Sequence, residues 1–353
     1  RARAFDAARD FSIFGKYPGF LELPDRYSSW IPGAYIAGLR YLRSHKPQFL
    51  YSTYPPASAH LVGWLLSKRS EAKWVADFRD PMILPGHPDT PARRRAHAWV
   101  ERKTMTQCDA AIFTSNGALT DYQERYRLRG KGRMFVVENG YDSVLFDSAC
   151  ELAPTRPGIN PGATITLLHS GSLYPDHRDP RAFFAALAVL RDDSSFSSKP
   201  WRVVLRACGY TKLYRRMIVD EFPDIADMVQ FEDSVDYITS IAEMLAADGL
   251  LLFQGASCNH QIPAKLYEYA RTRKPILAFV HSAGETSKSL RQLGVTEQAD
   301  IESVDDSRRL LTRFFEGSEK RGLEDFVPSE DTSHLSRERR SRELAAVMLE
   351  TLE

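Results

Sequence analysis

Cysteine is scarce in this sequence, and its few residues stand far apart. The 353 residues include four of them, Cys108, Cys150, Cys208 and Cys258. None pairs with another as C-x-x-C, and no histidine stands beside one at a spacing typical of zinc ligands. This pattern excludes a disulfide-stapled domain and the common zinc modules, and it favours a reduced, cytoplasmic setting.

Long apolar runs are also missing. A membrane-spanning helix needs about 20 consecutive, mostly apolar residues, and no segment approaches that length. The chain begins at Arg1, and nothing there resembles a secretory signal. Hydrophobic residues make up 43% of the sequence and charged residues 26%. These values are typical of a protein with a packed core, and the length favours two domains.

Charge of one sign is not in excess overall, but each half of the chain is unbalanced. The formal net charge is +1, yet residues 1–147 contain 22 Lys and Arg against 15 Asp and Glu. A basic first half indicates contact with an anionic acceptor or with an acidic membrane surface. The Arg93-Arg94-Arg95 run alone is more typical of a solvated helix face. Nucleic-acid binding is not expected, because the basic residues lack interleaved aromatic residues.

Short apolar segments alternate with longer amphipathic ones, a pattern typical of parallel sheets covered by helices. The first half has four such segments: FLYST (49–53), WVADF (74–78), AAIFTS (110–115) and MFVVEN (134–139). The second half has five: ITLLHSG (165–171), WRVVLRACG (201–209), MVQFED (228–233), DGLLLFQ (248–254) and PILAFV (275–280). Two doubly wound α/β domains in tandem are therefore predicted.

The boundaries of these domains follow from composition. Residues 150–163, CELAPTRPGINPGA, are rich in Pro and Gly and are predicted to link a domain of residues 1–149 to one of residues 164–330. Residues 331–353 end in an amphipathic helix whose apolar side carries Leu344, Val347, Met348 and Leu352. Whether this helix packs back on the first domain is left open by the sequence.

Two loops of the second domain are suited to close contact with a ligand. In open α/β sheets ligands bind beyond the carboxyl ends of the strands. HSGSLYPDHRDP (169–180) follows the domain's first strand, with Gly171 for close backbone approach, Ser172 as a hydroxyl and Arg178 as a fixed positive charge. RACGY (206–210) follows the second strand and offers Gly209. Each loop taken alone is equally typical of an ordinary turn.

The segment GASCNHQIPAKLYEYARTRKPILAF (255–279) carries a more specific pattern. Pro263 suits the first position of a helix, and neither Gln261 nor Ile262 is a good capping residue. The leading N–H groups are therefore expected to lack a protein partner and to be available to a phosphate. Lys265 and Glu268 share one face of this helix. The alternative is an ion pair on a helix surface.

A third cluster of charge ends a strand of the first domain. In WVADFRDPMI (74–83), Asp77, Arg79 and Asp80 precede Pro81. Charges at the carboxyl end of a strand are expected to face the cleft between the domains. A carboxylate there can hold an acceptor hydroxyl or act as a base, with Asp80 as the candidate base. An Asp–Arg pair that braces the loop is the alternative.

Four segments, in this order along the chain, resemble motifs of glycosyltransferase family 4-like proteins, which include enzymes of bacterial surface-polysaccharide assembly. WVADFRDP resembles the family's DxRDP strand end, and ENGYDSVLF (138–146) resembles its NGxDxxxF segment. LLHSGSLY resembles its phosphate loop. IPAKLYEYARTRKPIL resembles its PxKLxEYxxxxKPIL donor-site helix, the most specific of the four. The similarity extends over most of the chain.

The resemblance implies a GT-B fold, in which two Rossmann-like doubly wound domains face a cleft. It implies transfer of a sugar from a nucleotide-diphosphate sugar to a lipid-linked or polysaccharide acceptor, with retention of configuration and without a metal or another cofactor. Lys265 and Arg178 would offset charge on the leaving diphosphate, and Glu268 would position the ribose. Other residues of the donor motifs are expected to contact the donor: Gly171, Ser172, Gly209, His260, Pro263 and Ala264.

Three departures from the family's pattern affect these expectations. The family usually opens with a strand and a Gly-rich loop, which this sequence lacks, so an N-terminal part is expected to be missing. Ser172 stands where many relatives have arginine, which leaves more of the phosphate contact to Arg178 and Lys265. His260 replaces a glutamate eight residues before Glu268. It is expected to touch the donor sugar, and a loop histidine without a role is the alternative.

Two other functions stay open. A nucleotide-sugar epimerase shares the two-domain architecture, and a non-catalytic subunit that binds a nucleotide sugar would show the same donor motifs. A dinucleotide-dependent oxidoreductase is disfavoured, because no G-x-G-x-x-G follows a predicted strand. The expected location is the cytoplasm, in contact with the inner face of the membrane through the basic first half.

Overall fold

The protein forms two compact α/β units. The computed structural model describes residues 22–126, 132–152, 164–191, 200–320, 322–328 and 331–352. Unit 1 consists of residues 1–138 and 341–353, and unit 2 of residues 139–340. Within the described ranges, none of the helices combines the length and the apolar character that crossing a membrane requires.

Unit 1 is built on a parallel sheet of four strands in the order β1-β2-β3-β4. All four strands predicted for the first half are confirmed. The elements in chain order are α1 (Trp30–His45), β1 (Phe49–Tyr54), α2 (Ala57–Ser67), β2 (Lys73–Phe78), α3 (Pro91–Gln107), β3 (Ala110–Phe113), α4 (Asn116–Tyr126) and β4 (Arg133–Val136).

Unit 2 contains a parallel sheet of six strands in the order β10-β9-β8-β5-β6-β7. The five predicted strands are confirmed, and the two-residue β10 was not predicted. The elements are α5 (Ser143–Leu152), β5 (Ile165–Ser170), α6 (Arg181–Arg191), β6 (Trp201–Arg206), α7 (Thr211–Glu221), β7 (Val229–Glu232), α8 (Tyr237–Ala246), β8 (Gly249–Gln254), α9 (Lys265–Thr272), β9 (Ile276–Val280), α10 (Glu285–Gln292), β10 (Gln298–Ala299) and α11 (Val304–Lys320).

The strand order of unit 2 reverses beside β5. From β5 the chain proceeds through β6 to β7 on one side, and through β8, β9 and β10 on the other. Because the helices that follow β5 and β8 leave in opposite directions, a crevice forms beyond the carboxyl ends of these two strands. The topology therefore directs attention to the segments that follow Ser170 and Gln254.

Both faces of the unit 2 sheet are buried, which explains why its central strands are mostly apolar. In β8, Leu251 and Phe253 belong to one core, and Leu250 and Leu252 to the other. Successive side chains of a strand point to opposite faces, so a strand covered on both sides is apolar at most positions.

The C-terminal helix α12 (Arg337–Glu350) supplies apolar cover to the unit 1 sheet. Leu344, Val347 and Met348 pack against a core that contains Val75 and Ile112. These are three of the four residues expected on its apolar side. The fourth, Leu352, is 41% exposed.

The units divide the chain at other positions than the sequence suggested. Unit 2 begins at residue 139 and not after a linker at 150–163, because α5 packs Phe146 and Ala149 into a core of unit 2. Residues 150–152 are the last turn of that helix. The remaining linker residues, 153–163, lie outside the described part of the chain.

Helix α9 also differs from its prediction. It begins at Lys265, and Pro263 precedes it. The Pro263 carbonyl accepts from the Leu266 N–H at 2.9 Å, and the Ala264 carbonyl accepts from the Tyr267 N–H at 3.2 Å. The expectation that the leading N–H groups lack a protein partner is therefore wrong for Leu266 and Tyr267. The chain turns tightly before the helix, and its carbonyl groups accept hydrogen bonds from both.

Candidate functional site

The loop after β5 makes a left-handed turn at Gly171. Its φ is +100°, a conformation that residues with a Cβ rarely adopt. A Cβ built at this position would lie 3.4 Å from Nζ of Lys265. The glycine loop and the first residue of α9, both predicted to contact the donor, are therefore brought together.

A second glycine loop lies next to the first. Gly209, which follows β6, has a φ of +82°, and a Cβ there would lie 3.8 Å from Oγ of Ser172. The Leu173 N–H donates to the Cys208 carbonyl at 3.0 Å, which ties the two loops to each other. Gly171, Ser172 and Gly209 thus surround one end of the crevice.

Lys265 is held by a buried histidine. Its Nζ lies 3.0 Å from Nε2 of His169, the fifth residue of β5. The other ring nitrogen, Nδ1, lies 2.9 Å from the Leu251 carbonyl oxygen. Because a carbonyl oxygen can only accept, Nδ1 carries the proton and Nε2 is the acceptor for the lysine. His169 was not identified from the sequence.

The electrostatic environment opposes the charge of Lys265. Burial lowers the pKa of this amine well below its ordinary value, and the Arg178 guanidinium lowers it further, whereas the Glu268 carboxylate acts in the opposite direction. An anion bound beside Nζ would compensate this repulsion. The site is therefore poised to gain free energy by binding a negatively charged group.

Arg178 is fixed by the carboxyl end of β8. Its Nε donates to Oε1 of Gln254 at 3.0 Å, and one of its terminal nitrogens donates to the Ser172 carbonyl at 3.3 Å. The guanidinium also lies over the Tyr174 ring, 5.6 Å from its centroid. Gln254, like His169, is a buried polar residue within a mostly apolar strand. Such a polar residue is visible in the sequence and could have indicated this site.

Glu268 has a partner other than Lys265. The Tyr237 hydroxyl at the start of α8 donates to Oε1 of Glu268. Burial raises the pKa of the Glu268 carboxyl. The surface ion pair considered as the alternative for α9 is not formed, because each of the two charges has its own uncharged partner. No feature of the sequence pointed to Tyr237.

The remaining donor-motif residues lie just before α9. His260 and Ala264 are exposed, and Pro263 is buried. The Gln261 carbonyl accepts from the Thr286 hydroxyl at 2.9 Å, which anchors this segment to α10. The structure places His260 on the same connection as Lys265, five residues earlier in the chain.

In unit 1, the strand-end cluster divides into a buried and an exposed part. Asp77 is buried, and its Oδ2 accepts from the hydroxyls of Tyr51 at 2.6 Å and Thr53 at 3.0 Å. Burial raises the pKa of this carboxyl. Arg79 donates to the Pro55 carbonyl at 3.0 Å, so it braces the loop through the backbone. Asp80 is exposed at the end of the cluster.

A buried carboxylate supports this segment and was missed in the sequence. The Met82 N–H donates to the Tyr122 hydroxyl at 3.0 Å, and that hydroxyl donates to Glu101 at 2.7 Å. Glu101 also accepts from Tyr126 and Arg125. The signal was a glutamate on the apolar side of α3, between Val100 and the buried Thr104.

Two other features of the described residues concern ligands. No group of three or more His, Cys, Asp and Glu side chains in that part of the chain could hold a metal ion. A cavity of about 620 Å³ in unit 2 is lined by residues that include His177, Ala182, Phe222, Gly255 and Val304. None of the predicted donor-site residues lines it.

Comparison with known proteins agrees with this architecture. Residues 17–140 match the model of the glycosyl transferase 4-like domain. The resemblance to family 4-like proteins is confirmed over these residues. No curated protein matches the sequence significantly.

Solved structures resemble nearly the whole chain. HepE (Alr3699) from Anabaena, in complex with UDP and glucose, has a TM-score of 0.65 at 15% identity, covering 93% of this chain and 84% of its own. An α,α-trehalose 6-phosphate synthase from Burkholderia multivorans has a TM-score of 0.66 at 12% identity, covering 93% and 77%. The chain has the GT-B fold.

The same fold occurs in a protein described as another kind of enzyme. A putative UDP-N-acetylglucosamine 2-epimerase from Listeria monocytogenes has a TM-score of 0.54 at 9% identity, covering 90% of this chain and 78% of its own. The fold therefore does not by itself decide between sugar transfer and epimerisation.

Proposed function

We propose that this protein is a retaining, metal-independent glycosyltransferase that takes a sugar from a nucleotide-diphosphate sugar and transfers it to a lipid-linked or polysaccharide acceptor. The observation that carries the proposal is the meeting of Lys265, Arg178 and the left-handed turn at Gly171 beyond the carboxyl end of β5. Two cations and a closely approachable backbone form a site suited to a diphosphate.

The chemistry of the site follows from these charges. When the bond between the sugar and the diphosphate breaks, negative charge builds on the leaving phosphate oxygens. Lys265 and Arg178, already held in place, would stabilise that charge without having to reorganise. Glu268 would accept hydrogen bonds from the ribose hydroxyls, with Tyr237 holding the carboxylate in position.

The acceptor would be received by unit 1. Asp80 is exposed and follows the strand end, so it is the candidate for contact with an acceptor hydroxyl. Asp77 is occupied by two hydroxyl donors and would act as a support. The basic first half supports contact with the anionic inner face of a membrane, from which a lipid-linked acceptor would be supplied.

A thermal-shift titration with UDP, GDP, dTDP and ADP tests the donor site. A ligand that binds the native state raises its melting temperature by mass action. We expect one nucleotide to stabilise the wild type and Glu268→Ala to lose that response. If no nucleotide shifts the protein, or if the variant responds equally, the donor-site proposal is wrong.

Product analysis separates transfer from epimerisation, the reaction that the name of the Listeria protein describes. The nucleotide sugar that carries the stabilising base is incubated with the protein, with and without a membrane lipid extract. A transferase releases the nucleotide and attaches the sugar to a component of the extract. An epimerase converts the nucleotide sugar to its epimer without any acceptor, and a non-catalytic subunit does neither.

A further inference from the structure

Lys265 needs an anchor, because its side chain has four rotatable bonds and carries a large cost in conformational entropy when it is fixed. The anchor comes from another element. His169 lies on β5, and Lys265 begins α9, yet Nε2 and Nζ are 3.0 Å apart. Nζ is thereby held against the turn at Gly171, where a Cβ would come within 3.4 Å of it.

His169 is itself fixed on the opposite side. Its side chain is fully buried, and its Nδ1 proton is donated to the Leu251 carbonyl of the neighbouring strand at 2.9 Å. Its ring packs against Phe253, with 5.4 Å between the ring centroids. The acceptor that faces Lys265 is therefore held by two residues of β8.

A neutral acceptor suits this position better than an acidic or an apolar side chain. A carboxylate would pair with the ammonium and compensate its charge before a phosphate arrived. An apolar side chain would leave a buried N–H group without a partner. Burial lowers the pKa of His169 well below its ordinary range, and the charges of Lys265 and Arg178 act in the same direction, so the ring stays neutral.

We propose that His169 is the positioning residue of Lys265: its Nε2 holds the amine beside Gly171 without neutralising it, and so sets the point at which the site contacts a diphosphate. This inference rests on the proposed function of Lys265 as a phosphate ligand. His169 does not touch the diphosphate, and it acts only through the lysine.

Three substitutions separate the two hydrogen bonds of His169. His169→Gln can place a carbonyl oxygen near the position of Nε2 and keeps an acceptor for Lys265. His169→Asn reaches only the position of Nδ1, so it keeps donation to Leu251 and loses the acceptor. His169→Phe loses both and keeps the volume. The melting temperature of each variant without ligand measures any general loss of stability.

The first readout is the affinity for UDP, GDP, dTDP and ADP, measured by calorimetric titration. We expect the Asn and Phe variants to bind the preferred nucleotide roughly tenfold more weakly, the effect of one hydrogen bond to a charged group. The Gln variant should stay within about twofold of the wild type. Equal affinity in all four proteins would overturn the proposal.

The second readout uses no nucleotide. Acetic anhydride pulses over a range of pH, with the Lys265 peptide quantified by mass spectrometry, give the pKa of its amine. Arg178 and Glu268 also act on this amine and are unchanged in every variant. Loss of the acceptor should lower this pKa in the Asn and Phe variants but not in the Gln variant. An unchanged pKa in all variants would show that His169 does not hold the lysine.

A double variant decides whether the histidine acts through the lysine. In a Lys265→Met background, His169→Phe should cause no further loss of nucleotide affinity, whereas an additional tenfold loss would contradict the positioning role. If no nucleotide stabilises even the wild type, the proposed function fails, and the amine pKa still decides whether His169 positions Lys265.

Discussion

The charged residues at the carboxyl ends of the strands are opposite in sign to the net charge of the half of the chain in which they lie. The first half is basic, yet the strand end of β2 presents Asp77 and Asp80. The second half is acidic, yet the loops after β5 and β8 present Lys265 and Arg178. In the proposed function the diphosphate is bound at the strand ends of unit 2, a placement that the net charges of the two halves do not indicate.

The basic residues of the first half are in part engaged with their own unit. Arg93 pairs with Glu22 and Asp89, and Arg125 pairs with the buried Glu101. Lys265 differs from these arginines, because its hydrogen-bond partner His169 is uncharged. Its charge is thus not compensated by an ion pair, and it has more to gain from an anionic ligand.

Removal of the charge of Lys265 is expected to have the largest effect. Lys265→Met keeps a long apolar side chain and deletes the ammonium. We expect affinity for the preferred nucleoside diphosphate to fall roughly 100-fold, the upper range for a charge-assisted hydrogen bond, measured by calorimetric titration.

Lys288→Met is the matched control. Lys288 lies in the same unit, is exposed and pairs with Glu285 on α10, so its loss should leave affinity unchanged. If both lysine variants bind as the wild type does, the unit 2 crevice is not the anion site.

The second test concerns the backbone at Gly171. Gly171→Ala places a methyl group 3.4 Å from Nζ of Lys265 at a φ of +100°. We expect a stability loss of about 1–2 kcal/mol from backbone strain and roughly tenfold weaker nucleotide binding from displacement of the lysine.

Gly86 provides a control for strain alone. Its φ is +72°, and a Cβ there would have no neighbour within 4 Å. Gly86→Ala should therefore lose stability, measured by urea unfolding, but keep nucleotide affinity. Equal effects of the two substitutions on binding would mean that Gly171 contributes only to folding.

The third test uses pH. The pKa of Lys265 is lowered in the free protein, and a bound diphosphate would raise it. The complex then holds more protons than the free protein above the lowered pKa, so affinity must fall as pH rises. We expect affinity to fall between pH 7 and pH 9, by no more than about tenfold per pH unit for the uptake of one proton.

This dependence cannot come from the ligand, since the last ionisation of a terminal phosphate, with a pKa of about 6, makes the ligand more negative as pH rises and would strengthen binding to a cationic site. Titrations of Lys265→Met over the same range are the control and should show no dependence. A wild-type affinity that is constant from pH 7 to pH 9 would mean that Lys265 does not take up a proton on binding.

The sequence predicted the architecture well and the partners of the charged residues poorly. Every predicted strand was found, because burial on both sheet faces leaves mostly apolar segments that are easy to recognise. The contacts of Lys265 with His169 and of Glu268 with Tyr237 join residues 96 and 31 positions apart. No local pattern encodes such pairs, since they depend on which strands become neighbours.

Two boundaries in the structure also differ from those that the local sequence pattern predicts. Pro263 was taken as the first residue of a helix, but a tight turn uses its carbonyl before α9 begins at Lys265. The Pro-rich segment was taken as the whole domain boundary, although α5 packs into unit 2 before it. Polar residues within apolar strands, His169 and Gln254, were the unused signal.

The last and smallest prediction concerns Asp77, the counterpart in unit 1 of Lys265. Its pKa is raised in the folded protein because it is buried. The folded state therefore binds more protons than the unfolded state between the usual carboxyl pKa, about 3.9, and the raised value. Stability contributed by this group is lost as pH rises through that window. An amide in its place should remove the loss, since Asn can still accept from Tyr51 and Thr53.

We therefore expect Asp77→Asn to be more stable than the wild type at pH 7 and to lose this advantage at pH 3.5. Urea unfolding at the two pH values measures the difference. Tyr51→Phe, which deletes the donor 2.6 Å from Oδ2, should instead destabilise at pH 7. If Asp77→Asn is the less stable protein at pH 7, the carboxylate is held as a stabilised anion. The strand end of unit 1 would then favour its charged form, whereas burial and Arg178 oppose the charge of Lys265 in unit 2, and the two sites would differ in more than the sign of the charge.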